Sequence, residues 1–240
     1  MKSTISNKEI GMGSKRILSL QEKFLVYALY IGACELVPEG RKLKSGRISP
    51  IFFNSGLFSS GKKLAHLIDA YVVAAMHEKF ECDVVFGPAY KGIPLATAFS
   101  LALSRKFDKD VGYAFNRKEA KDHGEGGTII GASLEGKKVV IIDDVMTTGT
   151  SSGEAVEIIR ANVGNPVSVV IAFDRQERGT SNLSAVQEFE KTYKIPVRAA
   201  AKLENLISLL KEWTENEGDQ GYGKALKEIL AYREKYGVAV

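Results

Sequence analysis

A chain of 240 residues holds one α/β domain with a sizeable core but no second large enzyme domain, since an eight-stranded α/β barrel alone takes roughly 250 residues. The 45% hydrophobic content supports a globular fold, and the net charge of +4, spread along the chain, suits anionic small molecules better than nucleic acid, which needs a dense basic face. Two cysteines, Cys34 and Cys82, both in apolar segments, give neither metal spacing nor a disulfide framework and point to a reducing, cytoplasmic setting.

Residues 1–15 are polar, glycine-containing and aperiodic, which predicts a disordered extension or a tag remnant ahead of one domain over 16–240. They lack the apolar core of a signal peptide. From Ser19 to Val37, apolar Leu20, Phe24, Tyr27, Ala28 and Ile31 recur at three and four. That spacing predicts an amphipathic helix capped by Ser19, with Glu22 completing a capping box. The longest apolar run, Phe24 to Ala33, is half of the ~20 residues that span a bilayer, so no membrane association is expected.

Residues 41–57 alternate basic and apolar character and predict a short hairpin, in which Lys44 and Arg47 read, on spacing alone, as solvated strand residues. Phe52 and Phe53 are adjacent in a strand and cannot both face one way. Ser59 to Phe80 reads as a helix with Leu64, Leu67, Ile68, Tyr71, Val72 and Ala75 inward, leaving His66 and His77 on or near its surface in structural roles. Asp83 to Phe86 is the first buried strand, followed by the turn-rich loop Gly87-Pro88-Ala89-Tyr90-Lys91-Gly92 and a helix to about Lys106. A strand, a loop with two glycines and a lysine, then a helix, suits an anion. Val111 to Phe115 is a further strand. The segment 117–127 is the most polar in the chain, and reads either as a charged surface loop or as a lid that closes over a charged leaving group. Thr128 to Val140 then holds a return strand, a Glu135-Gly136 turn and the start of a central strand.

That central strand carries the strongest signal. Val139 to Ile142 is apolar without alternation, as in a parallel sheet covered on both faces, and Asp143-Asp144 stand at its carboxyl end, where open α/β sheets bind ligands. The loop Val145-Met146-Thr147-Thr148-Gly149-Thr150-Ser151 and a helix start follow, which together offer backbone and hydroxyl donors to a phosphate without the lysine of a nucleotide P-loop. Two carboxylates beside such a cradle imply sugar hydroxyls or a hydrated cation as well, a combination that a phosphorylated ribose satisfies. A solvated strand end with a threonine-rich turn is the plainer alternative. Beyond lie a helix from about Ser152 to Asn162, the buried strand Val167 to Phe173 and the charged cluster Asp174-Arg175-Gln176-Glu177-Arg178, again on the ligand side. A helix over Leu183 to Tyr193, a short strand over Val197 to Ala200 and helices over Leu203 to Trp213 and Lys224 to Tyr236 close the chain. The alternation predicts a doubly wound α/β core over about 60–200, with a mainly parallel sheet of about five strands and a small hood from the terminal segments.

The stretch 139–151 resembles the phosphoribosyl-pyrophosphate signature of type I phosphoribosyltransferases. Four further segments resemble the orotate phosphoribosyltransferase family in the same order: 43–54, 86–94, 115–127 and 174–179, within a likeness from about Glu22 to Gly237. The resemblance implies Mg²⁺-dependent transfer of a 5-phosphoribosyl group from phosphoribosyl pyrophosphate (PRPP) to orotate. It places Asp143 and Asp144 on the ribose hydroxyls and the hydrated metal, with no certain direct protein ligand to Mg²⁺. Residues 145–151 would hold the 5-phosphate, and Lys44, Tyr90, Lys91, Arg117, Lys118, Lys121 and His123 the diphosphate side. Orotate would meet Lys44, Thr147, Arg175 and the Phe52–Phe53 pair, one ring in the core and the other a ligand wall. Asp143, Asp144, Lys121 and His123 would carry the chemistry, and the planar fork of Arg175 suits a carboxylate. The resemblance further implies a non-proline cis peptide in the 87–92 loop and a homodimer whose lid, 117–127, reaches the neighbouring site. A phosphoribosyltransferase acting on purines or other bases would share the central loop but not the Lys44, Phe52–Phe53 and Arg175 constellation. A non-catalytic sensor of PRPP would need a nucleic-acid-binding surface, and none is evident.

Overall fold

Helix α1 (Leu20–Tyr30) opens with the expected capping box: the Glu22 amide donates to the Ser19 hydroxyl at 3.2 Å and the Ser19 amide to the Glu22 carboxylate at 2.9 Å. The helix is shorter than its apolar spacing suggests, ending at Tyr30 rather than running to Val37. Gly32 turns left-handed (φ +74°) just past its end, and the chain leaves as a strand. The computed structural model describes residues 16–43, 45–76, 80–118, 128–179, 181–216 and 222–238. The extension 1–15, His77 and most of the expected lid lie outside them.

The hairpin forms from β1 (Cys34–Lys42) and β2 (Ile48–Phe53), paired antiparallel with a bulge between Leu36 and Arg41. Its first strand therefore begins in what reads as helix from sequence. Helix α2 (Gly61–Ala75) buries Leu67, Ile68, Tyr71, Val72 and Ala75 and exposes His66, as the spacing predicts. The main sheet takes β3 (Val84–Phe86), β4 (Gly112–Asn116), β5 (Ile129–Gly131), β6 (Lys138–Ile142), β7 (Asn165–Asp174) and β8 (Val197–Lys202) in the order β5-β4-β3-β6-β7-β8. Five strands are parallel and β5 pairs antiparallel at the edge, one strand more than expected.

The two faces of β6 divide the core. Val140 and Ile142 face α2 and α3 (Gly92–Phe107), together with α6 (Leu203–Asn216) and α7 (Tyr222–Tyr236). Val139 and Ile141 face α4 (Thr150–Ala161) and α5 (Ala185–Tyr193). With both faces covered, β6 has no polar side, which is why it reads as an unbroken apolar run. The hairpin, α1, α6 and α7 form a hood over one end of the sheet. One tie within it is ionic: the Arg16 guanidinium meets the buried Glu22 at 2.5 Å and the buried Glu212 at 2.8 Å, joining α1 to α6. Among the described residues no helix is long and apolar enough to cross a membrane. Cys34 and Cys82 are unpaired, and burial pushes both thiols up to about 12, so neither is poised as a nucleophile.

Candidate active site

Strands β3, β4, β6 and β7 run parallel, so their carboxyl ends share one rim. At the end of β6 the two aspartates part ways. Asp143 turns inward and is 7% exposed. Its carboxylate accepts from the Asp144 amide at 2.8 Å and the Ser152 hydroxyl at 3.4 Å, while the buried Tyr71 hydroxyl donates to its carbonyl at 2.9 Å. Burial raises its pKa above the usual carboxylate value. Asp144 faces the rim: its Oδ2 accepts from the Lys91 ammonium at 2.6 Å and the Ser55 hydroxyl at 3.1 Å, and its Oδ1 from the Val145 amide at 2.8 Å. Asp144 thus stands at the rim, whereas Asp143 braces the loop from beneath.

The loop beyond alternates too. Val145 packs into the α2-side core and Met146 into the α4-side core, so only their backbones line the rim. Thr147, Thr148, Thr150 and Ser151 are exposed, with the Thr148 and Thr150 hydroxyls 2.9 Å apart. Gly149 enters α4 at φ +73°, a left-handed conformation that a side chain would strain. The first turn of α4 holds no acidic residue, leaving its N–H groups and dipole open to an anion.

The 87–92 loop closes on itself, since a Cβ on Gly87 would lie 2.1 Å from the Gly92 carbonyl oxygen. The Ala89–Tyr90 peptide is cis, as the resemblance implies, and the Ala89 amide donates to the Asn116 side chain at 3.0 Å. Lys118 sits over the exposed Tyr90 ring at 4.9 Å. The root of the expected lid thus grips the loop that carries Lys91. Arg117 contributes a buried Nη1 that has no hydrogen-bond partner among the described residues.

On the β7 side, Arg175 donates to Glu177 at 2.5 and 2.8 Å and to the buried Ser49 hydroxyl at 3.0 Å. Arg47 is half-buried rather than solvated, donating to the Arg178 carbonyl at 2.7 Å. Phe53 is a core residue, stacked on Phe173 with centroids 5.4 Å apart. Phe52 points to the opposite side of the hairpin, where the Arg41 guanidinium covers its ring at 3.7 Å. The face of β2 nearest Arg175 carries Ser49 and Phe53. Lys44, Lys121 and His123 lie outside the described residues.

Ser49, Ser55 and Asn116 belong to this rim but read from sequence only as turn or motif neighbours. Ser55 had one local signal, the Asn54-Ser55-Gly56 turn directly after a strand. Among the described residues no cluster of three or more His, Cys, Asp or Glu forms a metal cage. Asp144 nonetheless has the oxygen chemistry for a Mg²⁺ shared with substrate and water, since that ion commonly binds through one or two carboxylates and phosphates.

The phosphoribosyl transferase domain family matches residues 60–197. An orotate phosphoribosyltransferase from Actinobacillus succinogenes is 50% identical over 198 residues, 82% of this chain and 89% of its own. One from Halorhodospira halophila is 47% identical over 220 residues, 91% of this chain and 98% of its own. The crystal structure of the Francisella tularensis orotate phosphoribosyltransferase superposes with a TM-score of 0.76 at 38% identity, covering 90% of this chain and 99% of that one.

Proposed function

The chain belongs to the orotate phosphoribosyltransferase family, and from that premise we propose how its residues divide the work. The reaction transfers the 5-phosphoribosyl group from PRPP to N1 of orotate, giving orotidine 5′-phosphate and diphosphate for pyrimidine nucleotide synthesis. The C1–O bond to diphosphate breaks with its electron pair, N1 bonds to C1, and the N1 proton is released. Between these events the ribose carries oxocarbenium character, so catalysis is mostly charge placement. The Lys91–Asp144 pair carries this reading best: a cation from the β3 loop and a carboxylate from the β6 loop meet beside the threonine-rich helix start.

In this reading the exposed hydroxyls and N–H groups of 147–151 seat the 5-phosphate. Asp144 holds the ribose hydroxyls, and Asp143 keeps the loop in shape beneath them. Lys91, Arg117, Lys118 and, from the lid, Lys121 and His123 receive the leaving diphosphate. Arg175, with Lys44 and Thr147, recognises orotate. Asp144 would help to hold a Mg²⁺ ion, which would supply charge neutralisation for the diphosphate. The unpaired cysteines suit a cytoplasmic enzyme, and the lid is shared across a two-fold dimer.

Orotate consumption, followed by its ultraviolet absorbance with PRPP and Mg²⁺, tests the whole reading. Turnover should stop when the metal is chelated and should not occur with hypoxanthine or uracil as the base. Equal turnover of a purine would move the base site away from Arg175.

A further inference from the structure

Glu177 follows Arg175 by two residues where β7 leaves the sheet. One of its carboxylate oxygens accepts from both Nε and Nη2 of Arg175, at 2.8 and 2.5 Å, and the other lies 3.9 Å from Arg47. Nη2 also donates to Ser49, whose own hydroxyl proton goes to the Ile51 carbonyl at 2.9 Å. Two of the three guanidinium nitrogens are therefore committed, and Nη1 makes no hydrogen bond among the described residues. The Glu177 backbone is itself held: it bridges Gly237, and the Arg178 amide donates to the Tyr236 carbonyl at 2.8 Å. A long side chain on a strand end loses much rotamer freedom when it binds a ligand, and fixing it beforehand removes that loss.

We propose that Glu177 is a positioning residue for base recognition: it grips the Nε–Nη2 edge of Arg175 so that the Nη1 edge is presented to the carboxylate-bearing pyrimidine. This rests on Arg175 recognising the base. The Arg47 guanidinium and the segment 236–238 keep Glu177 in register, so α7's end is linked to Arg175 through one carboxylate.

The test titrates two probes, orotidine 5′-phosphate and ribose 5-phosphate, which share the phosphate and differ in the base. Glu177→Ala should weaken the nucleotide about tenfold, the size of a coupling inside one hydrogen-bonded network, and leave ribose 5-phosphate within about twofold. Glu177→Gln keeps an acceptor oxygen and should recover most of the loss. In an Arg175→Ala background, Glu177→Ala should add nothing. The same weakening in that background, or equal weakening of both probes, overturns the proposal. If Arg175→Ala alone leaves nucleotide affinity unchanged, the base-recognition reading itself fails, whatever Glu177 does. Should circular dichroism show Glu177→Ala unfolded, Ser49→Ala takes its place in the same cycle, and the same pair of results supports or overturns the proposal.

Discussion

Asp143 and Asp144 are chemically identical neighbours whose surroundings separate their roles. Burial raises the folded-state pKa of Asp143, so the folded chain holds that proton more tightly than the unfolded chain does. Its contribution is present at acid pH and is lost as pH rises through the raised value, leaving a desolvation penalty at neutral pH. Asp143→Asn keeps an acceptor for the Asp144 amide without that penalty, and should melt no lower than wild type at pH 8. Asp143→Ala orphans the amide at a cost of about 1–3 kcal/mol and should lower Tm by several degrees. Asp144→Asn should fold normally yet lose activity by about 100-fold or more, the scale of removing one preorganised electrostatic partner. Melting curves beside kcat separate these cases, and a near-normal kcat for Asp144→Asn would remove it from the reaction. Sequence showed two carboxylates at a strand end, but not which one turns inward. Nor could it show that Ser55 joins Asp144 from 89 positions away, or that Ser49 meets Arg175 from 126.

At the scale of elements, legibility follows how local the cause is. The β6 strand, its loop and α4 were readable because an unbroken apolar run, a cluster of small hydroxyl residues and a helix start are all local in sequence. The start of α1 was readable for the same reason, since a capping box is complete within four residues. Its end was not: the apolar spacing runs on past Tyr30, and only pairing with β2 makes Cys34–Lys42 a strand. The cradle loop also yields a prediction. A methyl on Gly149 meets its nearest neighbour, Phe189, at 3.6 Å, an ordinary contact, so the strain comes from φ +73° alone. Gly149→Ala should therefore cost about 1–2 kcal/mol and lower Tm modestly. It should raise KM for PRPP more than KM for orotate, as initial rates with each substrate varied would show. Equal change in both would mean the loop serves the site as a whole.

The whole molecule is held partly by charge at the hood. The hydrogen bond from Arg16 lowers the Glu22 pKa to about 2 from an ordinary 4.5. A depressed carboxylate stabilises the fold above its unfolded pKa, and that help is lost as pH falls from about 4.5 towards 2. Glu22→Gln should melt below wild type at pH 7, with the gap narrowing through that acid window. A constant gap from pH 7 to pH 2 would mean packing, not charge, joins α1 to α6. The proposed dimer can be tested by subunit exchange between Lys121→Ala and Arg175→Ala, each inactive alone. A mixed dimer with a shared lid has one site with both residues intact, so random assortment should restore activity in roughly a quarter of all sites. No recovery despite demonstrated exchange would confine the lid to its own chain.

The Lys91–Asp144 contact gives the resting enzyme an internal counter-ion. Under the proposed division of work, its cation would pass to the diphosphate and its carboxylate to the ribose. Substrate binding is then a swap of partners rather than the capture of an anion by a bare charge. On that reading the ammonium exchanges a carboxylate for phosphate oxygens, and the carboxylate exchanges an ammonium for hydroxyl donors.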